Sequence, residues 1–267
     1  MAEEFISSFD GTKLFVNIET SEADRAVIVM VHGLAEHQGR YDYVAEKFHE
    51  EGIGTYRFDH RGHGRSEGEC AYLSDYNELL DDTNVLVDRA IAENPDKPVF
   101  LLGHSMGGLT VTAFCAKYPK KRLAGVITSG ALVCMEGSLF ALLPEMDPHT
   151  QLPNELGDGV CSVQEVRDWY VQDPLNRKSY AAGLVYACNE GLKWLEGTTS
   201  NIAYPILITH GEKDGLVGVH NAPWLFDHVS SADKQMKIYG NLFHEIMNEY
   251  CRDEVIGDYV HWMEMRI

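Results

Sequence analysis

No stretch of this chain reaches the roughly 18 consecutive apolar residues that a bilayer-spanning helix needs, so a transmembrane segment is not expected. The opening residues Met1-Ala2-Glu3-Glu4-Phe5-Ile6-Ser7-Ser8 lack the basic start and apolar stretch of a secretory signal, which points to a cytoplasmic location. Basic side chains are scarce. With 22 Lys and Arg against 41 Asp and Glu, the formal net charge is −19. Nucleic-acid binding relies on clustered cations that neutralise phosphates, so that partner is excluded, and docking on an anionic membrane surface is disfavoured. The acidity reads as a solubility feature. Cys70, Cys115, Cys134, Cys161, Cys188 and Cys251 are scattered with no C-x-x-C pair, which argues against a zinc site or a disulfide framework and for free thiols in a reducing compartment. A repeat period and a low-complexity tract are likewise missing.

What is present fits one large globular domain: 45% hydrophobic and 24% charged residues over 267 positions. Short apolar runs alternate with longer amphipathic ones. Strands are expected at 4–9, 13–19, 26–31, 54–58, 98–103, 123–129, 205–209 and 235–240, and helices at about 40–51, 75–94, 106–118, 217–228 and 246–265. Asp10-Gly11 between the first two strands is a hairpin signal, since Gly accepts positive φ. Ala26-Val27-Ile28-Val29-Met30-Val31 and Val99-Phe100-Leu101-Leu102 are apolar throughout, as strands are when helices cover both faces of a sheet. The expected architecture is α/β: a mostly parallel, doubly wound, eight-stranded sheet. Residues 132–203 break the rhythm with Pro144, Pro148, Pro153 and Pro174 and no central strand. They read as a helical cap inserted into a core formed by 1–131 and 204–267. Ser162 and Glu165 look like a capping box. The apolar run Leu139, Phe140, Leu142, Leu143 and Met146 suits a lid over a substrate site.

Gly103-His104-Ser105-Met106-Gly107 matches the nucleophile-elbow pattern G-x-S-x-G, and so does Gly64-Arg65-Ser66-Glu67-Gly68. Context separates them. Ser105 follows a buried strand directly and opens an apolar helix, whereas Ser66 lies in a polar loop. Ser105 is therefore the expected nucleophile. A serine hydroxyl needs a base, and the base needs a carboxylate to fix its tautomer. With this elbow the acid and then the histidine follow in chain order. Asp214, in the loop after strand 205–209, is the expected acid ahead of Glu212 and Asp227. His244, in the loop after strand 235–240, is the expected base, because His220, His228 and His261 fall within helical patterns. The oxyanion of an acyl-transfer intermediate needs two backbone N–H donors. Met106, after the nucleophile and at a helix N-terminus, and Leu34, in the loop His32-Gly33-Leu34, are the candidates.

Several stretches together resemble the monoacylglycerol lipase and lysophospholipase branch of the α/β-hydrolases, the serine aminopeptidase S33 type. His32-Gly33-Leu34-Ala35-Glu36-His37 with Arg40-Tyr41 is similar to that family's H-G-x-x-E-H-x-x-R-Y stretch. Asp59 to Gly68 resembles its D-x-x-G-H-G-x-S-x-G loop, a structural loop that accounts for the second G-x-S-x-G match. Gly103 to Gly108 reads G-H-S-M-G-G, as in the family. The resemblance covers nearly the whole chain outside 132–203. It implies metal-free and cofactor-free hydrolysis of an acyl ester, with the cap shaping the acyl pocket. The substrate expected is a small lipid-like ester, a monoacylglycerol or lysophospholipid, with Leu139, Phe140, Leu143, Met146 and Trp194 as pocket residues. Two alternatives stay open. One is a feruloyl or cinnamoyl esterase holding an aromatic ring with Trp169, Tyr170, Tyr180, Tyr186 or Trp194. The other is an amide-cleaving peptidase using Glu136, Glu145 or Asp147 as an amine clamp.

Overall fold

The computed structural model describes residues 2–155 and 159–267, without the side chains of Leu139 and Phe140. The strands in chain order are β1 (Ala2–Ser7), β2 (Lys13–Glu19), β3 (Ala26–Val31), β4 (Ile53–Phe58), β5 (Val99–His104), β6 (Gly125–Ser129), the short pair β7 (Gln151–Pro153) and β8 (Ser179–Ala181), β9 (Ile206–Gly211) and β10 (Lys234–Tyr239). The helices are α1 (Asp42–Glu50), α2 (Asn77–Glu93), α3 (Met106–Lys117), α4 (Gln164–Gln172), α5 (Ala182–Glu196), α6 (Asn221–His228) and α7 (Arg252–Glu264). All strands except β7 and β8 form one eight-stranded sheet in the order β1-β2-β4-β3-β5-β6-β9-β10. It is parallel apart from β2, which runs antiparallel to both β1 and β4.

The apolar strands are apolar because both their faces are covered. In β3, Val27, Val29 and Val31 join Leu86 of α2 and Val111 and Phe114 of α3 in one buried cluster. The alternate residues Ala26, Ile28 and Met30 join Phe48 of α1 and Val255 and Tyr259 of α7 in the other. Phe100 and Leu102 of β5 face α1 and α7, while Leu101 faces α2 and α3. Each such side chain contributes about 1.5–3 kcal/mol on leaving water. The order reverses between β3 and β5, so a crevice opens at their carboxyl ends, where open α/β sheets place ligands. Leu34 and Ser105 both line it.

Element boundaries shift where a side chain competes with the backbone. The first strand spans 2–7 rather than 4–9, because Ser8 and Gly11 are taken up by the turn, with Ser8 N–H donating to Thr12 O at 2.8 Å and Gly11 N–H to Ser8 O at 3.1 Å. The helix expected from 217 starts at Asn221, since the N–H groups of Leu216 and Val217 donate to Asp214 instead. The helix expected from 246 is a short 3₁₀ turn, Ile246–Asn248, followed by α7. The capping box at Ser162 does not form. Val163 is the N-cap of α4, without a side-chain cap, and Ser162 turns instead to Glu249.

Residues 132–203 contribute no strand to the main sheet among the described residues. They carry the β7–β8 ribbon, α4 and α5. The segment divides in its packing. Leu184, Cys188, Leu192 and Leu195 of α5 belong to the same buried cluster as β3 and α3, so this helix packs as part of the core. The preceding stretch packs more lightly, with Leu142 79% exposed and Trp169 66% exposed.

Candidate active site

Ser105 sits alone between β5 and α3 with φ +56° and ψ −118°, a conformation that side-chain-bearing residues rarely adopt. Its N–H is fastened to Ser129 O of β6 at 3.0 Å. The glycines of G-x-S-x-G explain themselves here. A Cβ on Gly103 would lie 2.2 Å from Gly107 O, and one on Gly107 would lie 2.1 Å from Val31 O, so any side chain would push strand and helix apart. The second G-x-S-x-G lacks this setting. Ser66 Oγ donates to Asp59 O at 2.6 Å and accepts Phe15 N–H at 2.9 Å, both structural bonds.

The Asp214 side chain is fully buried behind this elbow. Its Oδ1 accepts the N–H groups of Leu216 and Val217 at 2.9 and 2.8 Å. Its Oδ2 takes His244 Nδ1 at 2.7 Å and lies 3.0 Å from His210 Nε2. Burial alone would raise the carboxyl's pKa, but the His244 charge and the two imidazole hydrogen bonds hold it well below the usual range. An ionised carboxylate only accepts, so Nδ1 of His244 carries a proton and Nε2 of the neutral ring is left as the acceptor. Burial pushes the His244 pKa down, while Asp214, with Glu245 and Glu36 behind it, outweighs that and raises it above the ordinary histidine value. The neighbouring His104 ring, 4.6 Å from His244 between centroids, is pushed down to about 4 by burial and by His244. Of two adjacent imidazoles, the one on Asp214 is thus the one that takes a proton.

The loop after β3 is organised around a buried ion cluster. Glu36 Oε1 accepts Gly33 N–H at 2.6 Å and the Tyr41 hydroxyl at 2.7 Å. Its Oε2 takes Arg40 Nη1 at 2.6 Å, and the same guanidinium grips Glu245 with bonds of 2.6 and 2.8 Å. The Gly33 N–H is thus engaged, and the next residue, Leu34, lines the cavity. Ala35, at φ +60°, completes the bend. Met106 begins α3 across from it, where the helix dipole adds positive potential. Ser105, His244, Leu34 and Met106 all line one cavity of about 330 Å³.

The rest of the lining is mostly apolar: Leu132, Leu143, Leu152, Val160, Val185, Leu216 and Val217. Leu143 is therefore where a pocket residue was expected. Met146 and Trp194 are not in the lining. Met146 donates its N–H to the Tyr186 hydroxyl, and Trp194 packs on Tyr76, 5.9 Å between rings, because α5 lies against the segment that leads into α2, with Gly191 beside Tyr76. The side chains of Leu139 and Phe140 lie outside the described residues. Tyr170 and Tyr180 reach the cavity, while Trp169 is exposed and the Tyr186 hydroxyl donates to Pro144 O. Sequence reasoning assigned no role to His210, whose Nε2 also donates to Val217 O at 2.8 Å, or to Glu36 and Glu245. For Glu36 and Arg40 the available signal was their shared place in the stretch that resembles the family's H-G-x-x-E-H-x-x-R-Y. Among the described residues no group of His, Cys, Asp and Glu is arranged to hold a metal ion, and no helix is long and apolar enough to cross a membrane.

The family model described as serine aminopeptidase, S33 matches residues 22–250. The monoacylglycerol lipase of Mycolicibacterium smegmatis is 33% identical, over 98% of this chain and 96% of its own length. The monoglyceride lipase of Homo sapiens is 30% identical, over 96% of this chain and 87% of its own. The crystal structure of Paleococcus ferrophilus monoacylglycerol lipase superposes with a TM-score of 0.84 at 25% identity, covering 95% of this chain and 99% of that one.

Proposed function

This chain belongs to the serine aminopeptidase S33 family of α/β-hydrolases and cleaves carboxylic esters, and from that premise we propose that it hydrolyses neutral monoacylglycerols through an acyl-enzyme on Ser105. In this reading His244 Nε2 takes the Ser105 Oγ proton as Oγ attacks the ester carbonyl. The N–H groups of Leu34 and Met106 receive the oxyanion. His244 returns the proton to the departing glycerol oxygen, and water repeats both steps on the acyl-enzyme. The buried Asp214 carboxylate keeps the imidazole in the tautomer this needs and stabilises the imidazolium. We take the inserted segment 132–203 as the cap that shapes the acyl pocket, its lightly packed stretch ahead of α5 and Val185 of α5 both reaching the cavity. The six free thiols support a reducing, cytoplasmic setting.

The observation that favours a neutral headgroup is the charge of the cavity wall. Glu36, Glu155 and Glu245 line it, and among the described residues no Lys or Arg does. Arg40 lies behind the wall, with its charge shared between two carboxylates. A phosphate-bearing lysophospholipid would meet repulsion there and no counter-charge. The aromatic-ester reading is less well supported. The Tyr170 ring is already covered by the Arg40 guanidinium at 4.8 Å, and its hydroxyl accepts from Asn154 at 2.7 Å.

The test compares kcat/KM for a monoacylglycerol, a lysophosphatidic acid of the same acyl chain, methyl ferulate, and p-nitrophenyl esters from acetate to palmitate. Ser105→Ala serves as control. A preference for the monoacylglycerol of about tenfold or more over the lysophosphatidic acid, equivalent to ~1.4 kcal/mol, is expected. Equal rates on the two lipids would remove the headgroup argument, and a maximum at methyl ferulate would overturn the lipid reading.

A further inference from the structure

Outside the residues just given roles, one buried carboxylate joins the inserted segment to the histidine loop. Glu249 is 1% exposed. Its Oε1 accepts Phe243 N–H at 3.1 Å, immediately before His244, and Ser162 N–H at 2.9 Å. Its Oε2 accepts the Ser162 hydroxyl. A carboxylate removed from water and held by two amides and a hydroxyl is a stiff junction, because losing it takes the acceptor from three donors at once. Two neighbouring bonds run the same way. Glu245 N–H donates to Val160 O at 2.8 Å, and Gly215 N–H, beside Asp214, donates to Gly159 O at 3.3 Å. Val160, Cys161 and Val166 form a small apolar cluster of their own, against which Leu216 packs. Residues 159–162 are thus stitched to the loops of both the acid and the base, and the peptides on either side of His244 are held by the insertion or through Glu249. Val160 and Leu216 also line the cavity, so this stitched edge is in contact with whatever fills it.

We propose that Glu249 is a positioning residue: through the Phe243 amide it sets the place of the His244 ring, and through Ser162 it makes that place depend on the seating of the inserted segment. The proposal rests on His244 acting as the base. Glu249 touches no reacting atom, so its effect is on geometry, where a displacement of about 1 Å costs on the order of 100-fold in rate. A long acyl chain pressing on Val160 seats residues 159–162 and keeps the junction closed. A short ester leaves this edge unloaded and depends on Glu249 alone.

The experiment measures kcat and KM, normalised to the folded fraction by circular dichroism, on p-nitrophenyl acetate and p-nitrophenyl laurate. The variants are Glu249→Ala, Glu249→Gln and Ser162→Ala, with Ser105→Ala as a separate control for the nucleophile. Glu249→Ala is expected to lower kcat about tenfold to 100-fold on both esters with KM within about twofold. Glu249→Gln, whose amide oxygen still accepts Phe243 N–H, is expected to recover most of that loss. Ser162→Ala, which removes the hydroxyl bond from the insertion's side of the junction and leaves the amide bond in place, is expected to lower kcat/KM several-fold on laurate and little on acetate. Wild-type kcat per folded molecule for Glu249→Ala, with only its melting temperature reduced, would make Glu249 a purely structural residue and overturn the proposal. If Glu249→Ala does not fold, Glu249→Gln and Ser162→Ala decide, and unchanged laurate kinetics in Ser162→Ala would overturn the coupling. Activity surviving in Ser105→Ala would instead refute the premise, whatever Glu249 does.

Discussion

The sheet core and the inserted segment are held in place by different forces. In the core, β3, β5 and β9 bury both faces, and the candidate catalytic groups hang from strand ends fixed by main-chain hydrogen bonds. Among its described residues, the lightly packed part of the insertion, 135–180, has one small apolar cluster of its own at 160–166, leans on the main core through Met135 and Tyr180, and is held further by polar bonds. Arg177 N–H donates to Ala35 O at 2.8 Å, and its guanidinium donates to the carbonyls of Gly62 and Gly64 at 2.8 and 3.0 Å. Apart from the Glu249 junction, such polar ties exchange for water at less cost than the core's burial, which does not come apart piecemeal. Chemistry that must not vary is thus carried by the rigid part, and fit to a substrate by the part that is cheap to rearrange. Each prediction below separates these two regions.

The largest effect belongs to the core and is indifferent to substrate. Ser105→Ala should reduce hydrolysis by about 10⁴-fold or more on every ester tested, short or long, because the attacking atom is lost whatever the insertion does. Steady-state rates on p-nitrophenyl acetate and laurate check this, and a residual rate that differs strongly between them would locate part of the catalysis in the insertion.

The pH response should also belong to the core. The neutral form of His244 is the working base, and Asp214 raises its pKa, so kcat/KM should fall as pH drops through a midpoint above the ordinary histidine value of about 6.5. The same limb should appear with both esters, and a midpoint below 6 would contradict the influence of Asp214. Stability has the opposite linkage at the other buried rings. His60, His63 and His104 are pushed down to about 3, 4 and 4, chiefly by burial. The unfolded chain therefore binds more protons below pH 6.5, and stability must decline as pH falls from there toward 3. Melting temperatures from pH 7 to pH 4 test this. A flat profile would mean that these rings are not held neutral.

The two regions also differed in how far the sequence announced them. Ser105, Asp214 and His244 stood out because each depends on local pattern: an apolar strand, then a turn, then the reactive residue. All eight main strands were recognisable for the same reason, with period and punctuation agreeing. The insertion offered no such grammar. Leu184, Cys188, Leu192 and Leu195 repeat at helical spacing, a pattern equally right for a cap helix and for the core helix that α5 is. Trp194 looked like a pocket aromatic, but the rotation of α5, set by that same stripe, aims it at Tyr76. His210 escaped notice because its partners, Asp214 and Val217 O, meet it only through the fold of the loop. Glu249 carries no pattern of its own in the sequence, and only its contact with Ser162, 87 positions earlier, makes it a junction.

A smaller effect should be confined to the insertion. Leu143 is half-buried and lines the cavity without belonging to the main core clusters. Leu143→Trp fills acyl space, so kcat/KM on p-nitrophenyl laurate should drop about tenfold while acetate is affected less than about twofold, the loss being steric exclusion of the longer chain. Equal losses on both esters would show that the insertion also shapes the reacting centre at this point and would blur the division between the regions.

The smallest effect marks the outer limit of the comparison. Trp169 of α4 is 66% exposed, though it lies only three residues from the buried Val166. Exposed residues outside caps, cores and ion networks alter stability by about 0.5 kcal/mol or less, so Trp169→Ser should leave the melting temperature within about 1–2 °C of wild type and acetate hydrolysis unchanged. Scanning calorimetry on the purified variant decides it. A clear loss of stability would mean that α4 leans on this ring, and that the insertion is anchored by more apolar contact than the Val160, Cys161 and Val166 cluster supplies.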